Sequence, residues 1–302
     1  MSWLDEAQSA VTAVAEAVGP SVVGVGHRWA VGSGVVLEAG AVLTNAHNVR
    51  PGDVTITLPD GRRSSGRTSG VDVDGDLAVV TADTEGASPI AWPENGATLA
   101  LGTPVFALAN PGGRGLRVTV GSVSSTERSF RGPRGRRITG SVEHTSPLLP
   151  GSSGGPIVDS GGRFLGLNTN RLGEGFYLAI PADGDLRERV TRLAAGESRA
   201  APRLGVGVAL PGVARGLRRA VGLPEVEGLL VRAVEKDSAA ERAGLAEGDL
   251  IVEAGGRPLD SADVLHEALD AADSRAGLRL KVVRGTEERT VSVTLTEEHR
   301  DG

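Results

Sequence analysis

Between residues 22 and 167 the chain repeats one local pattern: a short β-branched or aliphatic run, then Gly, Pro or Asn. The runs are Val22–Val25, Gly34–Leu37, Val54–Leu58, Leu77–Val80, Val105–Leu108, Leu116–Val120, Pro156–Val158 and Phe164–Leu167. Branching at Cβ suits a pleated strand better than a helix. Short strands at regular spacing with turn residues between them point to a barrel or sandwich. The chain has 302 residues with 44 Gly, which supply the tight turns such a fold needs. Aromatic content is 3%, so the core must rest on Val, Leu, Ile and Ala. Cys is absent, which excludes disulfides, thiolate chemistry and Cys-ligated metals.

The flanks follow other periods. Leu4, Ala7, Val11, Val14 and Val18 recur at helical spacing over 3–18 and stop at Gly19-Pro20. A second helix is expected over 183–195. Gly196 to Pro202 reads as a linker. Beyond it, strand-like runs at 204–208, 228–234, 249–253, 278–283 and 290–295 alternate with helical stretches near 237–243 and 261–272. The expected organisation is an N-terminal helical segment at 1–19, a β-rich domain at 20–195, a linker at 196–202 and a mixed α/β domain at 203–297.

A formal charge of −6 gives no general attraction to nucleic acid or to an anionic membrane. No apolar run approaches the roughly 20 residues of a membrane-spanning helix. The start, Met1 to Glu6, carries acid where a signal peptide carries base. Read as written the chain is cytoplasmic; if it has been trimmed, an extracytoplasmic site is expected.

One constellation carries chemistry. Gly151–Pro156 reads Gly-Ser-Ser-Gly-Gly-Pro, and Thr44-Asn45-Ala46-His47 lies far upstream. A Ser in a Gly-rich turn becomes a nucleophile only when a base reaches it, and His is the usual base near neutral pH. Asp76, directly before Leu77–Val80, fits the acid that orients an imidazole. Asp72 and Asp74 compete with it, and Ser152 competes with Ser153, but the Ser-Gly-Gly-Pro register favours Ser153. The order His47, Asp76, Ser153 is that of chymotrypsin-type proteases. The amides of Gly151, Ser152 and Ser153 are candidates to bind a developing oxyanion. His27, His144, His266 and His299 read as structural histidines.

Metal and nucleotide sites are not expected. Asp72-Val-Asp74-Gly-Asp76 hints at a calcium loop, but its sixth and twelfth positions are Leu77 and Asp83, not Gly and Glu. His266-Glu267 lacks the second His of a zinc motif, because position 270 is Asp. Gly32-Ser33-Gly34 lacks the further Gly of a dinucleotide turn.

With these motifs in order, the chain resembles the HtrA/Deg family, a trypsin-like protease domain followed by a PDZ domain. In the first part the resemblance rests on Pro20–Val23, Gly32–Val35, Thr44–His47, Asp76–Val79, Gly151–Pro156 and Ala179–Pro181. In the second it rests on Leu204–Gly207, Ser238–Ala240, Ala243–Leu245 and Gly248–Ile251. It implies a mainly β fold, a chymotrypsin-like double β-barrel followed by a small α/β PDZ domain. The sequence departs from the family at Ser152, where Asn is usual, and at Thr145-Ser146-Pro147, where Thr-Asp-Ala is common. The long loop that some members carry before the His is absent.

The resemblance implies a serine endopeptidase acting on unfolded or misfolded proteins without a cofactor. Its oxyanion pair would be Gly151 and Ser153. Pro147-Leu148-Leu149-Pro150 carries no acid, so Leu148 and Leu149 suggest a pocket for small or medium apolar side chains. Asn168, Thr169 and Asn170 would form its other wall. Leu204, Gly205, Val206 and Gly207 resemble a carboxylate-binding loop for C-terminal peptides, added as a strand. Leu265 and Leu269, one helical turn apart, would line that groove or else belong to ordinary core. A homo-trimer is implied, with the 3–18 helix, through Trp3 and Leu4, as a contact or simply packed on its own barrel. Arg128, Arg131, Arg134, Arg136 and Arg137 read either as a solvated loop or as the family's activation sensor. The competing reading is a chaperone or peptide-binding quality-control protein with a latent protease site.

Overall fold

The computed structural model describes residues 2–27, 30–49, 53–94, 96–97, 99–132, 136–171, 175–198, 202–272 and 277–295. Arg134, His299, residues 199–201 of the expected linker and positions 296–297 lie outside them. The chain divides into two compact units, Met1–Arg199 and Ala200–Gly302.

The first unit opens with α1 (Trp3–Val18), started by a capping box in which Ser2 and Asp5 each bind the other's backbone N–H. Strands β1 (Val22–His27), β2 (Ala30–Glu38), β3 (Ala41–Thr44), β4 (Asp53–Thr57), β5 (Arg63–Asp72) and β6 (Leu77–Thr81) close a barrel in the order β1-β2-β3-β6-β5-β4. Strands β7 (Pro104–Ala109), β8 (Arg117–Arg131), β9 (Arg137–His144), β10 (Pro156–Val158), β11 (Phe164–Arg171) and β12 (Tyr177–Pro181) close a second, ordered β10-β11-β12-β9-β8-β7. Helix α2 (Gly184–Ala194) follows, with Asp183 accepting from Leu186 N at 2.9 Å as its N-cap.

Along the apolar strands side chains alternate between two buried faces. Val23, Val36, Val42, Ala78 and Val80 fill the first barrel. Their neighbours Val22, Val35, Leu43, Leu77 and Val79 turn outward into a core shared with Phe106, Leu108, Phe164 and Leu167. Val105, Ala107, Ile157 and Ala179 fill the second barrel. Period-two geometry therefore underlies runs that read as continuously apolar. Helices α1 and α2 cover the shared core through Val14, Val18, Leu186 and Val190. At the other end of α1, Trp3 and Leu4 stand exposed at 75% and 59%.

Two strand assignments go beyond the sequence reading. Polar β5 completes the first barrel although its composition gives no apolar run. The 128–137 stretch is not simply a solvated loop: β8 continues to Arg131 and β9 begins at Arg137. Phe130 is buried there with Ile138 and Leu178, and Arg128 pairs with Glu143 at 3.0 Å.

The second unit comprises β13 (Val206–Ala209), α3 (Pro211–Ala220), β14 (Leu229–Val234), α4 (Ala239–Arg242), β15 (Leu250–Ala254), β16 (Arg257–Pro258), α5 (Ala262–Ala271), β17 (Leu278–Arg284) and β18 (Glu287–Val293). The sheet runs β13-β14-β15-β17-β18, with β16 on β15. Helix α3 was not expected, because Gly212 and Gly216 weaken its helical signal; Pro211 in its first turn starts it.

Candidate active site

His47 sits in a 3₁₀ turn, Ala46–Asn48, just after β3. Asp76 immediately precedes β6, which pairs with β3. That pairing brings the two residues together. His47 Nδ1 lies 2.9 Å from both Asp76 carboxylate oxygens. The His47 backbone N–H donates to Asp76 Oδ1 at 3.2 Å, and Asn45 Nδ2 donates to Asp76 O at 2.9 Å. Asp76 is buried, whereas the His47 side chain is 38% exposed. Since the carboxylate only accepts, Nδ1 carries a proton, and the neutral ring is the tautomer whose lone pair is on Nε2.

Asp76 has φ of 54°, left-handed for a non-glycine residue. Such a conformation persists only where the surroundings over-determine it. Here Gly75 N donates to Asp72 Oδ1 at 2.8 Å. Arg189, from α2, donates to Asp72 Oδ2 at 2.7 Å and to Gly75 O at 3.3 Å. Arg136 pairs with Asp74 at 3.3 Å.

Ser153 comes from the turn before β10. Its hydroxyl donates to Thr169 O at 2.8 Å. The Thr169 hydroxyl in turn donates to Asp76 Oδ2 at 2.7 Å. Thr169, on β11, therefore joins the nucleophile candidate to the acid. No hydrogen bond links Ser153 Oγ to the His47 ring among the described residues, so the hydroxyl must rotate about its Cα–Cβ bond to meet the base.

In the turn itself the Ser152 amide donates to Leu149 O at 3.1 Å. The Gly151 and Ser153 amides have no protein acceptor among the described residues, which leaves them as the available pair. Gly151 and Gly154 both have φ of 88°, which side-chain-bearing residues rarely adopt. A Cβ at Gly154 would also overlap Ser33 O.

Beside the turn lies a cavity of about 140 Å³ lined by Leu148, Leu149, Pro150, Gly151, Ser152, Ser153, Asn168, Thr169 and Tyr177. Its lining includes no carboxylate. Asn170 lies on β11, but its side chain is outside the described set. Behind the wall, His144 Nε2 donates to Asn168 Oδ1 at 2.9 Å, and the His144 ring stacks on Tyr177 with centroids 5.9 Å apart. Burial pushes the His144 pKa down to about 4, against smaller upward pulls from Asn168 and Glu143. Among the described residues no group of three His, Asp or Glu side chains is placed to hold a metal ion.

In the second unit, Leu204 O accepts from Ala240 N and Gly205 O from Glu235 N, both at 2.8 Å. Gly205 has φ of 79°. Strand β13 pairs with β14 and is an edge of the sheet among the described residues. Leu265 and Leu269, on α5, are 4% and 3% exposed and pack with Leu204, Val206 and Val208.

The trypsin-like peptidase domain family matches residues 32–167, and the PDZ domain family matches 230–284. HhoA of Synechocystis sp. is 33% identical over 279 residues, covering 87% of this chain and 69% of HhoA. The chain belongs to the HtrA family of serine proteases. A DegP-like periplasmic serine endoprotease of Halomonas elongata is 30% identical, covering 89% of the HtrA chain but 56% of the relative. The chain thus spans between about half and two thirds of these curated relatives. Among solved structures, the serine endoprotease of Yersinia pestis superposes with a TM-score of 0.64 at 25% identity, covering 95% of this chain and 98% of that one. The HtrA-type protease AlgW, solved with a decapeptide, shares the fold at a TM-score of 0.64 and 23% identity, covering 95% and 99%.

Sequence reasoning placed His47, Asp76 and Ser153 in the site of this HtrA chain, and the fold brings their segments together. It read Thr169 only as a pocket wall. It missed Arg189, and it missed Asn48 and Ser33, whose Nδ2 and backbone N–H both donate to Ser153 O at 2.9 Å, because these contacts are largely to backbone or to distant loops. The apposition of an Arg and an Asp 117 residues apart leaves no local signature.

Proposed function

We propose that this HtrA chain is a serine endopeptidase that cleaves unfolded or misfolded protein through Ser153, His47 and Asp76. The observation that carries the reading is the linkage of Asp76 to His47 directly and to Ser153 through Thr169. Ser153 Oγ swings from Thr169 O, attacks the peptide carbonyl and passes its proton to His47 Nε2. Asp76 holds the imidazole tautomer and stabilises the imidazolium. The Gly151 and Ser153 amides receive the oxyanion. His47 then protonates the leaving amine, and a water, activated by the same imidazole, hydrolyses the acyl-enzyme.

The cavity volume and its lining without acid support a small or medium apolar side chain at the cleaved bond, of the kind unfolded chains expose. The open edge of β13, with Leu204–Gly207 at its start, supports addition of a C-terminal peptide as a further strand. Leu265 and Leu269 are proposed to border that groove. For assembly we favour a homo-trimer, with exposed Trp3 and Leu4 as contacts. No helix among the described residues is long and apolar enough to cross a membrane. The name of the Halomonas relative places that protein in the periplasm, which supports the extracytoplasmic alternative for this chain.

The test is incubation with unfolded casein beside a Ser153→Ala control. Cleavage by the wild type and none by the variant is expected. Equal cleavage by both would refute the assignment of Ser153. Suppressed aggregation without any cleavage would favour the chaperone reading instead.

A further inference from the structure

We propose that Ser33 is a positioning residue that sets the oxyanion hole from the opposite barrel; the proposal rests on the endopeptidase reading above. In the 151–152 peptide, the carbonyl accepts from Ser33 Oγ at 2.9 Å and the N–H donates to Leu149 O. In the 152–153 peptide, the carbonyl accepts from Gly155 N at 3.0 Å, which leaves the Ser153 N–H for the oxyanion. In the 153–154 peptide, the carbonyl accepts from Ser33 N and Asn48 Nδ2, both at 2.9 Å, while the N–H donates to Asn168 O at 2.8 Å. The 150–151 peptide, which supplies the other oxyanion donor, has no partner at either end among the described residues.

Ser33 thus grips the turn at two peptides, one on either side of the Ser153 amide, and the first of them directly follows the unanchored peptide. Its side-chain bond fixes the far side of Gly151 and is the one hydrogen bond to that residue's C=O among the described residues. The hydroxyl has one proton and two lone pairs: it accepts from Asn110 N at 3.0 Å, and Gly151 O is the acceptor of its proton among the described residues. The Ser33 carbonyl accepts from Thr44 Oγ1 at 2.7 Å, and Thr44 Oγ1 accepts from Asn48 Nδ2 at 3.0 Å. Ser33, Thr44 and Asn45 are fully buried. Ser33 stands on β2 of the first barrel, whereas the turn belongs to the second. The hole is therefore held across the barrel interface, next to the segment that carries His47.

Without the hydroxyl, the Gly151 carbonyl loses its partner in a part-buried setting. Glycine at that position allows its peptides to rotate, which takes the Gly151 N–H off line. Losing one oxyanion donor outright costs about 10²–10³ in rate. Misaligning one in Ser33→Ala should cost roughly 10–100-fold in kcat, with KM little changed, because the bond matters most when charge develops.

The experiment measures kcat and KM on a quenched apolar peptide, normalised by active-site titration, with the Ki of a matching peptide boronic acid. Expected for Ser33→Ala is a Ki that weakens by the same factor as kcat/KM, since both depend on the hole. Ser33→Thr and Ser33→Val form a second pair of equal shape that differs in the hydroxyl; Thr should retain far more activity than Val. Unchanged kcat/KM in Ser33→Ala would overturn the proposal. So would a lower kcat with unchanged boronate Ki, or equal activity of the Thr and Val variants, since a purely structural role gives those results. A wild type that neither cleaves nor binds the boronate would instead sink the endopeptidase reading.

Discussion

Thr169 donates its hydroxyl to Asp76 Oδ2 at 2.7 Å while its own carbonyl holds the Ser153 hydroxyl at 2.8 Å. One strand residue thereby aligns the proposed acid, from one barrel, with the proposed nucleophile of the other. Thr169→Val keeps the shape and removes the hydroxyl. A hydrogen bond to a charged group contributes about 1.5–3 kcal/mol. Peptide hydrolysis is therefore expected to fall roughly 10–100-fold with little change in KM. Steady-state kinetics beside a melting curve would check it; wild-type turnover would show that Asp76 is held well enough by His47 alone.

Arg189 supports the left-handed backbone at Asp76 from outside. Its ion pair with Asp72 is largely shielded, each side chain being 19% exposed. Arg189→Met is expected to lower stability by about 1–3 kcal/mol and to reduce turnover. In a double-mutant cycle with Asp72→Asn, the two losses should be clearly less than additive. Full additivity would mean that the two side chains act independently.

His144 gives a pH dependence whose sign follows from burial. Its pKa in the fold lies near 4, against about 6.5 in the unfolded chain. Between those values the unfolded state binds the proton and the folded state does not, so stability rises with pH there. The contribution is complete above about pH 6.5 and is lost progressively as pH falls toward 4. The upper bound is about 3 kcal/mol. His144→Gln, which cannot titrate, should flatten the stability profile in that window. Denaturant melts at a series of pH values would reveal it, and parallel profiles for both proteins would contradict the assignment.

In the second unit, Gly205 takes a conformation that other residues avoid, and a Cβ there would come within 2.3 Å of Ser238 Cβ. Gly205→Ala should distort the start of β13 and weaken binding of an apolar C-terminal peptide by about tenfold or more, given strain of order 1–3 kcal/mol. Fluorescence polarisation would measure this, alongside hydrolysis of a short peptide as a control. Undiminished peptide binding would place the groove elsewhere.

Much of this was legible along the chain. The β-branched runs mark β1, β4, β6, β7, β10 and β11, and apolar spacing that stops at Gly19-Pro20 marks α1. His47, Asp76 and Ser153 stood out because each lies in a short motif whose neighbours are distinctive. β5 and the far half of β8 did not stand out. Their residues are largely polar and partly exposed, and they are strands because a closing barrel supplies their partners. Helix α3 was hidden by its glycines.

Local chemistry along the sequence determined which side chains could act as nucleophile, base and acid, and which segments would be strands. Only the tertiary structure decided how those strands share their faces. With one face inside a barrel and the other in the core between barrels, period-two alternation is masked by apolar residues on both sides. The tertiary structure alone also decided the supports: Ser33 beneath Gly151, Thr169 between Asp76 and Ser153, and Arg189 on the Asp72–Asp76 loop. These bonds depend on backbone carbonyls and on segments far apart in sequence. A main-chain acceptor is the same at every residue, so nothing in the local sequence distinguishes the partner that the fold selects.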